Sequence, residues 1–344
     1  MRTEDARRAP EPRGARLEVL LIIDPIDTLH AAHDTSVAIM EAAQRMGHRV
    51  SVTTVPELSI DGAVAVARCH PTDVHPAVLD QGRWVAVDDW YEQDTPSVRP
   101  LAEFDAVFMR TDPPVDDAYL RATFILDFVD PRSTLVLNSP AGLRHANEKL
   151  FALRVPEIGP PTFLSADKNA IIERVRRWGK AVLKPTNAMA GRGILVLEPD
   201  DVNLHSIIDG ATERGRHQVV VQRWIDDVID GDRRVIVIDG EPKGAVRRVA
   251  LGDDFRCNMA AGAATVRDVV TDADRALCER LAPLLRAHGL IFVGLDVIGG
   301  RVTEVNVTSP TGVREIDALS GTDLAGDLMT WVELACGRRL EAKA

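Results

Sequence analysis

The sequence predicts two architectures in one chain: an N-terminal α/β domain with an open, mostly parallel sheet, and behind it an α+β region of antiparallel hairpins. Three observations carry this reading. Strand-sized apolar runs alternate with capped helical patterns up to residue 143, the habit of a sheet covered on its faces. Beyond residue 222, strand patterns meet at Asp239-Gly240 and Gly299-Gly300, dipeptides suited to two-residue hairpin turns. A length of 344 residues exceeds one core. At roughly 100–200 residues per domain it fits two or three lobes.

In chain order, Val19-Leu20-Leu21-Ile22-Ile23 is a continuous apolar run, expected to be a strand buried on both faces. Asp34 can cap a helix running to Met46, closed by Gly47. A second strand is predicted over 50–55 and a third over 105–109. The loop Arg110-Thr111-Asp112-Pro113-Pro114 follows, then a helix over 118–128 and a strand at Leu135-Val136-Leu137. The character changes near Asn147. A short helix over 147–153 leads into a turn rich in proline, and Asp167 caps an amphipathic helix ending at Trp178-Gly179. Strands over 181–184 and 194–197 flank a loop of small residues. After Gln222 the pattern turns antiparallel, with strands over 234–238 and 242–249, a helix over 272–288, and strands over 291–298 and 302–307.

Composition narrows the function classes. Apolar residues are 45% and charged residues 27%, a globular mixture, and the net charge is −11. That balance argues against nucleic acid as a partner, and no run approaches the ~20 apolar residues of a membrane span. Cys69, Cys257, Cys278 and Cys336 form no C-x-x-C pair and read as reduced thiols of a cytoplasmic protein. Residues 1–16, rich in Arg and Pro but carrying Glu4, Asp5 and Glu11, read as a loose tail rather than a targeting segment.

Three constellations carry chemistry. Glu304 and Asn306 are two apart on a predicted strand, so both face one way while Val305 and Val307 face the core. Such hard oxygen donors suit Mg²⁺. A plain two-residue Gly-Gly turn would set Asp296 opposite Thr303. For Asp296 to converge with Glu304 the hairpin needs an odd-length loop or a bulge, and one of these is predicted there. A solvated hairpin face would explain these residues equally well.

Lys184 ends a strand before a small-residue loop containing Gly191 and Gly193, whose backbone N–H groups can wrap phosphate oxygens. No Gly-Lys-Ser/Thr is present, so this is not a Walker loop. Lys149 and Arg144 near a helix start fit surface charge as well as a site. Finally, Arg233-Arg234, Arg247-Arg248 and Arg256 surround one hairpin. Arg234 is expected beside Arg247 or Arg248, and like charges so placed favour a shared anion such as a transferring phosphoryl group.

Taken in order, the motifs resemble the bacterial glutathione synthetases. They are Asp24-Pro25-Ile26, Asp34-Thr35-Ser36, Met109-Arg110-Thr111-Asp112-Pro113-Pro114, Asn147-Glu148-Lys149-Leu150-Phe151, Leu183-Lys184-Pro185, Asp230-Gly231-Asp232-Arg233-Arg234, Arg256-Cys257-Asn258-Met259 and Val293-Gly294-Leu295-Asp296. The longest runs from Thr303-Glu304-Val305-Asn306 through Ser309-Pro310-Thr311-Gly312 to Arg314-Glu315. The resemblance implies an ATP-grasp fold behind a pre-ATP-grasp domain. It implies domains at 17–143, 144–221 and 222–340, with a lid at about 249–264.

By position, it implies that Lys149 and Lys184 contact ATP phosphates beside Gly191 and Gly193. Gln222, Arg223, Trp224 and Ile225 would form the hinge that reads adenine, with Asp232 near the ribose. Asp296, Glu304 and Asn306 would hold two Mg²⁺ ions, Mn²⁺ being a possible substitute, and Arg234 and Arg248 would steady the acyl phosphate. Asp34, Thr35, Ser36, Arg110, Arg256, Asn258 and Arg314 would meet the substrates, a small peptide acid and an amino-acid amine. A homo-oligomer, tetramer or dimer, is implied. The implied reaction joins γ-glutamylcysteine to glycine with ATP. Two departures stand out. Thr111 replaces the family's usual Lys, and Asn187-Ala188-Met189-Ala190-Gly191 replaces its glycine-rich phosphate loop. They keep two alternatives in view: a related peptide ligase with a different acid or amine, and a nucleotide-binding regulator without catalysis.

Overall fold

The computed structural model describes residues 16–187, 191–251, 257 and 262–341. The expected tail up to residue 15 lies outside these residues, as do Ala188, Met189 and Ala190 of the phosphate loop, Arg256, Asn258 and most of the 249–264 lid.

Four strands of the first sheet run parallel in the order Leu135–Leu137, Ala106–Met109, Glu18–Ile22, Arg49–Thr53. Their continuous apolar runs are explained by two covered faces. Val19 and Leu21 pack with Val37 and Met40 of helix Thr35–Arg45, while Leu20 and Ile22 pack with Tyr119, Ala122 and Leu126 of helix Asp117–Leu126. Asp34 starts the first of these helices as expected, its Oδ1 accepting from Ser36 N–H at 2.6 Å and Val37 N–H at 3.2 Å.

Between residues 55 and 105 the chain builds a part that the strand–helix alternation does not announce. The bent strand Val64–Val74 pairs antiparallel with Arg49–Thr53, Leu58–Asp61, Tyr91–Gln93 and Ser97–Pro100. The first sheet is therefore parallel in one half and antiparallel in the other.

The second sheet has the order Thr162–Ser165, Val219–Arg223, Ala181–Pro185, Leu195–Leu197, all antiparallel. Beyond the first domain, antiparallel pairing thus begins at Thr162, not after Gln222 as expected. The helix expected over 147–153 is a turn followed by a 3₁₀ segment, Phe151–Arg154. Strand parity divides this sheet cleanly. Ala181, Leu183, Val219 and Val221 enter a core with helices Lys168–Trp178 and Leu204–Ala211, which turns Val182, Lys184, Val220 and Gln222 to the other face.

The third sheet has the order Ala264–Arg267, Glu241–Val249, Asp232–Ile238, Phe292–Ile298, Arg301–Asn306. Its two tight turns are those predicted: Asp239 and Gly240 take φ of +50° and +79°, Gly299 and Gly300 +55° and +69°. Two hydrophobic clusters run without a break from the first sheet into the third, joining for example Leu21 to Ile236 and Leu20 to Val235. The second sheet keeps a separate core, formed by residues between Ile171 and Val221.

Candidate active site

The second and third sheets line a shared cleft of about 300 Å³. From the second sheet come Val182, Lys184 and Gln222, the face left over once that sheet's own core is filled, followed by Arg223, Trp224 and Ile225. Gln222 Nε2 donates to Thr162 Oγ1 at 3.3 Å. The Lys180 ammonium lies 4.4 Å from the centre of the Trp224 ring, a cation–π contact on a residue that lines the cleft. Val182, Ile194, Ile225 and Ile298 give part of the lining an apolar character.

The third sheet supplies a row of charges across four strands. Asp232 pairs with Arg248, Arg234 with Asp296, and Asp296 with Glu304 in cross-strand register. A bulge is present. The register shifts between Asp296 and Val297, so Asp296 faces Glu304 while Val297 faces Val302. Arg234 Nε donates to Asp296 Oδ1 at 2.7 Å, and Arg248 Nη2 lies 3.0 Å from the same oxygen. Arg248 also donates to Asp232 Oδ2, and Arg234 Nη1 to the Thr311 carbonyl at 2.9 Å. Gly294 lets the Arg234 chain lie flat, since a Cβ there would sit 3.1 Å from Arg234 Cδ.

The arginine expectation needs one correction. Arg234 faces Val246, and the arginines directly opposed are Arg233 and Arg247 on the other side of the sheet. Those two share Asp268, and Arg233 also holds Asp274. The anion shared by Arg234 and Arg248 is the protein's own Asp296.

Burial shapes the acid–base character. Burial raises Asp232 to about 6 against the pull of Arg248. Burial also pushes Asp296 up, but Arg234 and Arg248 outweigh it and hold the carboxyl well below the usual range. Burial lowers the Lys184 ammonium, Glu304 opposing it. Lys149 Nζ is 3.2 Å from Glu304 Oε1.

Of the expected residues, Lys149, Lys184, Gly191, Gln222, Arg223, Trp224, Ile225, Asp232, Arg234, Arg248, Asp296, Glu304 and Asn306 line the cleft. Gly193 is not among the lining residues. Asp34, Thr35, Ser36 and Arg110 gather beside it in the first domain. Arg110 Nε donates to Ser36 Oγ at 3.1 Å and Nη2 to the Pro310 carbonyl at 3.3 Å, while Nη1 and Thr35 Oγ1 are buried without a partner. Arg314 is not among the residues lining the cleft. Its guanidinium donates to Glu41 Oε1 at 2.6 Å and to the Ala31 carbonyl at 3.1 Å, so it ties the third sheet's following helix to the first domain. Sequence reasoning assigned no role to Asp112, Glu148, Thr308 or Ser309, which also line the cleft. Glu148 was within reach, since it stands beside Lys149 in a motif already singled out.

The comparisons agree with this geometry. The N-terminal domain model of prokaryotic glutathione synthetase matches residues 17–144, and its ATP-grasp domain model matches residues 148–321. The chain belongs to the prokaryotic glutathione synthetase family. Glutathione synthetase of Thermosynechococcus vestitus is 51% identical over 92% of this chain and 99% of that protein. The enzyme of a Nostoc species is 50% identical over 92% of this chain and 98% of its own length. Among solved structures, D-cycloserine synthetase DcsG aligns with a TM-score of 0.63 over 92% of this chain and 99% of that one, at 15% identity. The ATP-grasp ligase PsnB, complexed with a minimal precursor, aligns with a TM-score of 0.61 over 94% and 99%, at 18% identity. At those identities the likeness shows the ATP-grasp fold alone. Membership of the glutathione synthetase family makes this chain an ATP-dependent ligase that forms a C–N bond. Among the described residues no helix is long and apolar enough to cross a membrane.

Proposed function

We propose that this enzyme joins γ-glutamylcysteine to glycine, using ATP to activate the peptide's terminal carboxylate. The observation that carries the proposal is the bulge that sets Asp296 beside Glu304, facing a cleft that also holds Lys184 and an apolar slot. The apolar residues Val182, Ile225 and Ile298 suit a purine. Lys149 and Lys184 suit its phosphates.

The donor set fits Mg²⁺. Asp296 and Glu304 are carboxylates, and Asn306 donates its Nδ2 to the Gly294 carbonyl at 3.2 Å, which leaves its Oδ1 to accept. Among the described residues no group of three or more His, Cys, Asp or Glu side chains gathers about one point. Mg²⁺ here would therefore complete its shell with water and phosphate oxygens, and Mn²⁺ fits the same donors. Bound there, the ions would neutralise charge on the transferring phosphoryl group.

The peptide carboxylate attacks the γ-phosphorus, ADP departs, and an acyl phosphate remains. The amine then attacks the acyl carbon, inorganic phosphate leaves, and the amine nitrogen gives up a proton. Arg234 and Arg248 are placed to stabilise the negative charge that builds up on the acyl oxygens. In the free protein both guanidiniums are bound to Asp296, and Arg248 Nε, buried without a partner, is a donor left over for a substrate oxygen. Asp34, Ser36 and Arg110 border the cleft where the peptide would lie. We further propose domains at 17–143, 144–221 and 222–340, a homo-oligomeric enzyme, and work in the cytoplasm, with which the free buried thiols of Cys69, Cys278 and Cys336 agree.

A phosphate-release assay tests the function. Turnover that requires both γ-glutamylcysteine and glycine supports it. Turnover only with other acids or amines favours a related peptide ligase, the reading to which Thr111 points. ATP binding without turnover on a broad panel of acids and amines removes the catalytic assignment.

A further inference from the structure

The strand Arg301–Asn306, which carries Glu304 and Asn306, is the outer strand of the third sheet. Its inner side pairs with Phe292–Ile298, so the N–H groups of Val305 and Val307 point outward with no strand to receive them. One residue receives both. The Glu148 carbonyl accepts from Val305 N–H at 2.9 Å. Glu148 Oε1 accepts from Val307 N–H at 2.9 Å, from Thr308 N–H at 3.1 Å and from Thr308 Oγ1 at 2.9 Å. Glu148 thus stands in for a missing neighbour strand and grips the chain on both sides of Asn306.

Its own neighbours hold it in place. Asn147 Nδ2 donates to the Thr186 carbonyl of the second sheet's loop at 3.0 Å, and Lys149 Nζ reaches Glu304 at 3.2 Å. We propose that Glu148 is a positioning residue. By clamping the exposed edge around Asn306 it fixes the direction in which Glu304 and Asn306 present their oxygens, without itself contributing a bond to the metal. The inference rests on the metal reading above. A freely fraying edge strand would spread those two oxygens over many orientations, and octahedral Mg²⁺ tolerates little spread.

Calorimetric titration of ADP into the full-length enzyme, with and without Mg²⁺, tests it. For Glu148→Ala the magnesium-dependent gain in ADP affinity should fall by about 10–100-fold, the usual cost of losing a group that orients a metal ligand. Affinity for metal-free ADP should stay within about 2-fold, because the clamp's hydrogen bonds all go to Val305, Val307 and Thr308 and none to a residue proposed to hold the nucleotide. Glu148→Gln keeps an oxygen that accepts the same three hydrogen bonds and should restore most of the magnesium gain. Thr308→Val removes one of the three bonds and should cost about 5-fold, so the test survives if Glu148→Ala fails to fold.

If Glu148→Gln is as impaired as Glu148→Ala, charge rather than orientation is what Glu148 supplies, and the proposal falls. If Glu148→Ala melts earlier but keeps the full magnesium gain, the residue is a structural clamp only, and the proposal falls likewise. Glu304→Gln run alongside separates the two layers. A full magnesium gain in that variant overturns the metal reading itself. Loss there together with no loss in Glu148→Ala or Thr308→Val overturns only the positioning role.

Discussion

The two walls of the cleft are built on opposite plans. The third sheet shares its hydrophobic clusters with the first domain and is further tied to it by Arg314–Glu41 and by Arg110 on the Pro310 carbonyl. The second sheet keeps its own core between Ile171 and Val221, and its strands turn only one face to that core. Charge follows the same division. The third sheet buries Asp232, Arg234, Arg248 and Asp296, while Lys184 is the buried cation the second sheet brings to the cleft. One wall is thus a platform in which chemistry needs fixed geometry. The other is a separately cored jaw that can move as a body, since few of its apolar contacts would have to break.

The sharpest way to break this contrast is at the platform's chemistry. Glu304→Gln should lower turnover by at least ~10³-fold while circular dichroism stays that of the parent. Full activity in that variant would show the charges of the platform to be ornamental. Next comes the tie between platform and first domain. Arg314→Ala strands Glu41 in a buried site, where the two side chains are only 4% and 7% exposed. A loss of roughly 3–5 kcal/mol in urea unfolding is expected. The first and third sheets should still lose structure in one transition, and two separate transitions would contradict a shared core.

A cavity in the jaw should act more locally. Ile171→Ala should cost about 2–4 kcal/mol and speed amide exchange across 162–223. Amides of strands Glu18–Ile22 and Phe292–Ile298 should keep their protection. Equal acceleration everywhere would mean the two cores behave as one.

The smallest effect is a pH dependence in the platform's partner domain. His48 Nδ1 accepts from Leu17 N–H at 3.3 Å, and burial lowers the imidazole despite Glu333 at 3.2 Å. Its folded pKa therefore lies under the unfolded value of 6.5, and the unfolded chain takes up the proton first. Stability should hold above that value and decline as the pH falls through and below it. His48→Gln should flatten the decline in a melting series.

Much of this was legible in the residues because the relevant signals are local. Asp34 and Asp167 cap their helices through bonds spanning two or three residues. Asp239-Gly240 and Gly299-Gly300 make turns their own backbone preferences demand. The bulge beside Asp296 followed from strand parity once Asp296 and Glu304 were taken to converge. What stayed hidden depends on long-range pairing. Strands Tyr91–Gln93 and Val78–Asp80 are three residues each and largely exposed, too short for a period to register. The partner of Arg234 could not be read either, because a carboxylate 62 residues away takes it. The partner of Arg314, Glu41, 273 residues distant, was out of view in the same way.

The pairing of Arg234, Arg248 and Lys149 with Asp296, Asp232 and Glu304 has a consequence for what the cleft ignores. Cations already matched by fixed carboxylates attract a bare anion less than unmatched ones would. A guest that arrives as a nucleotide together with its counter-ion offers both members of each couple a new partner at once. For these three couples a bare anion has only the cation to meet, and the carboxylate beside it opposes the approach.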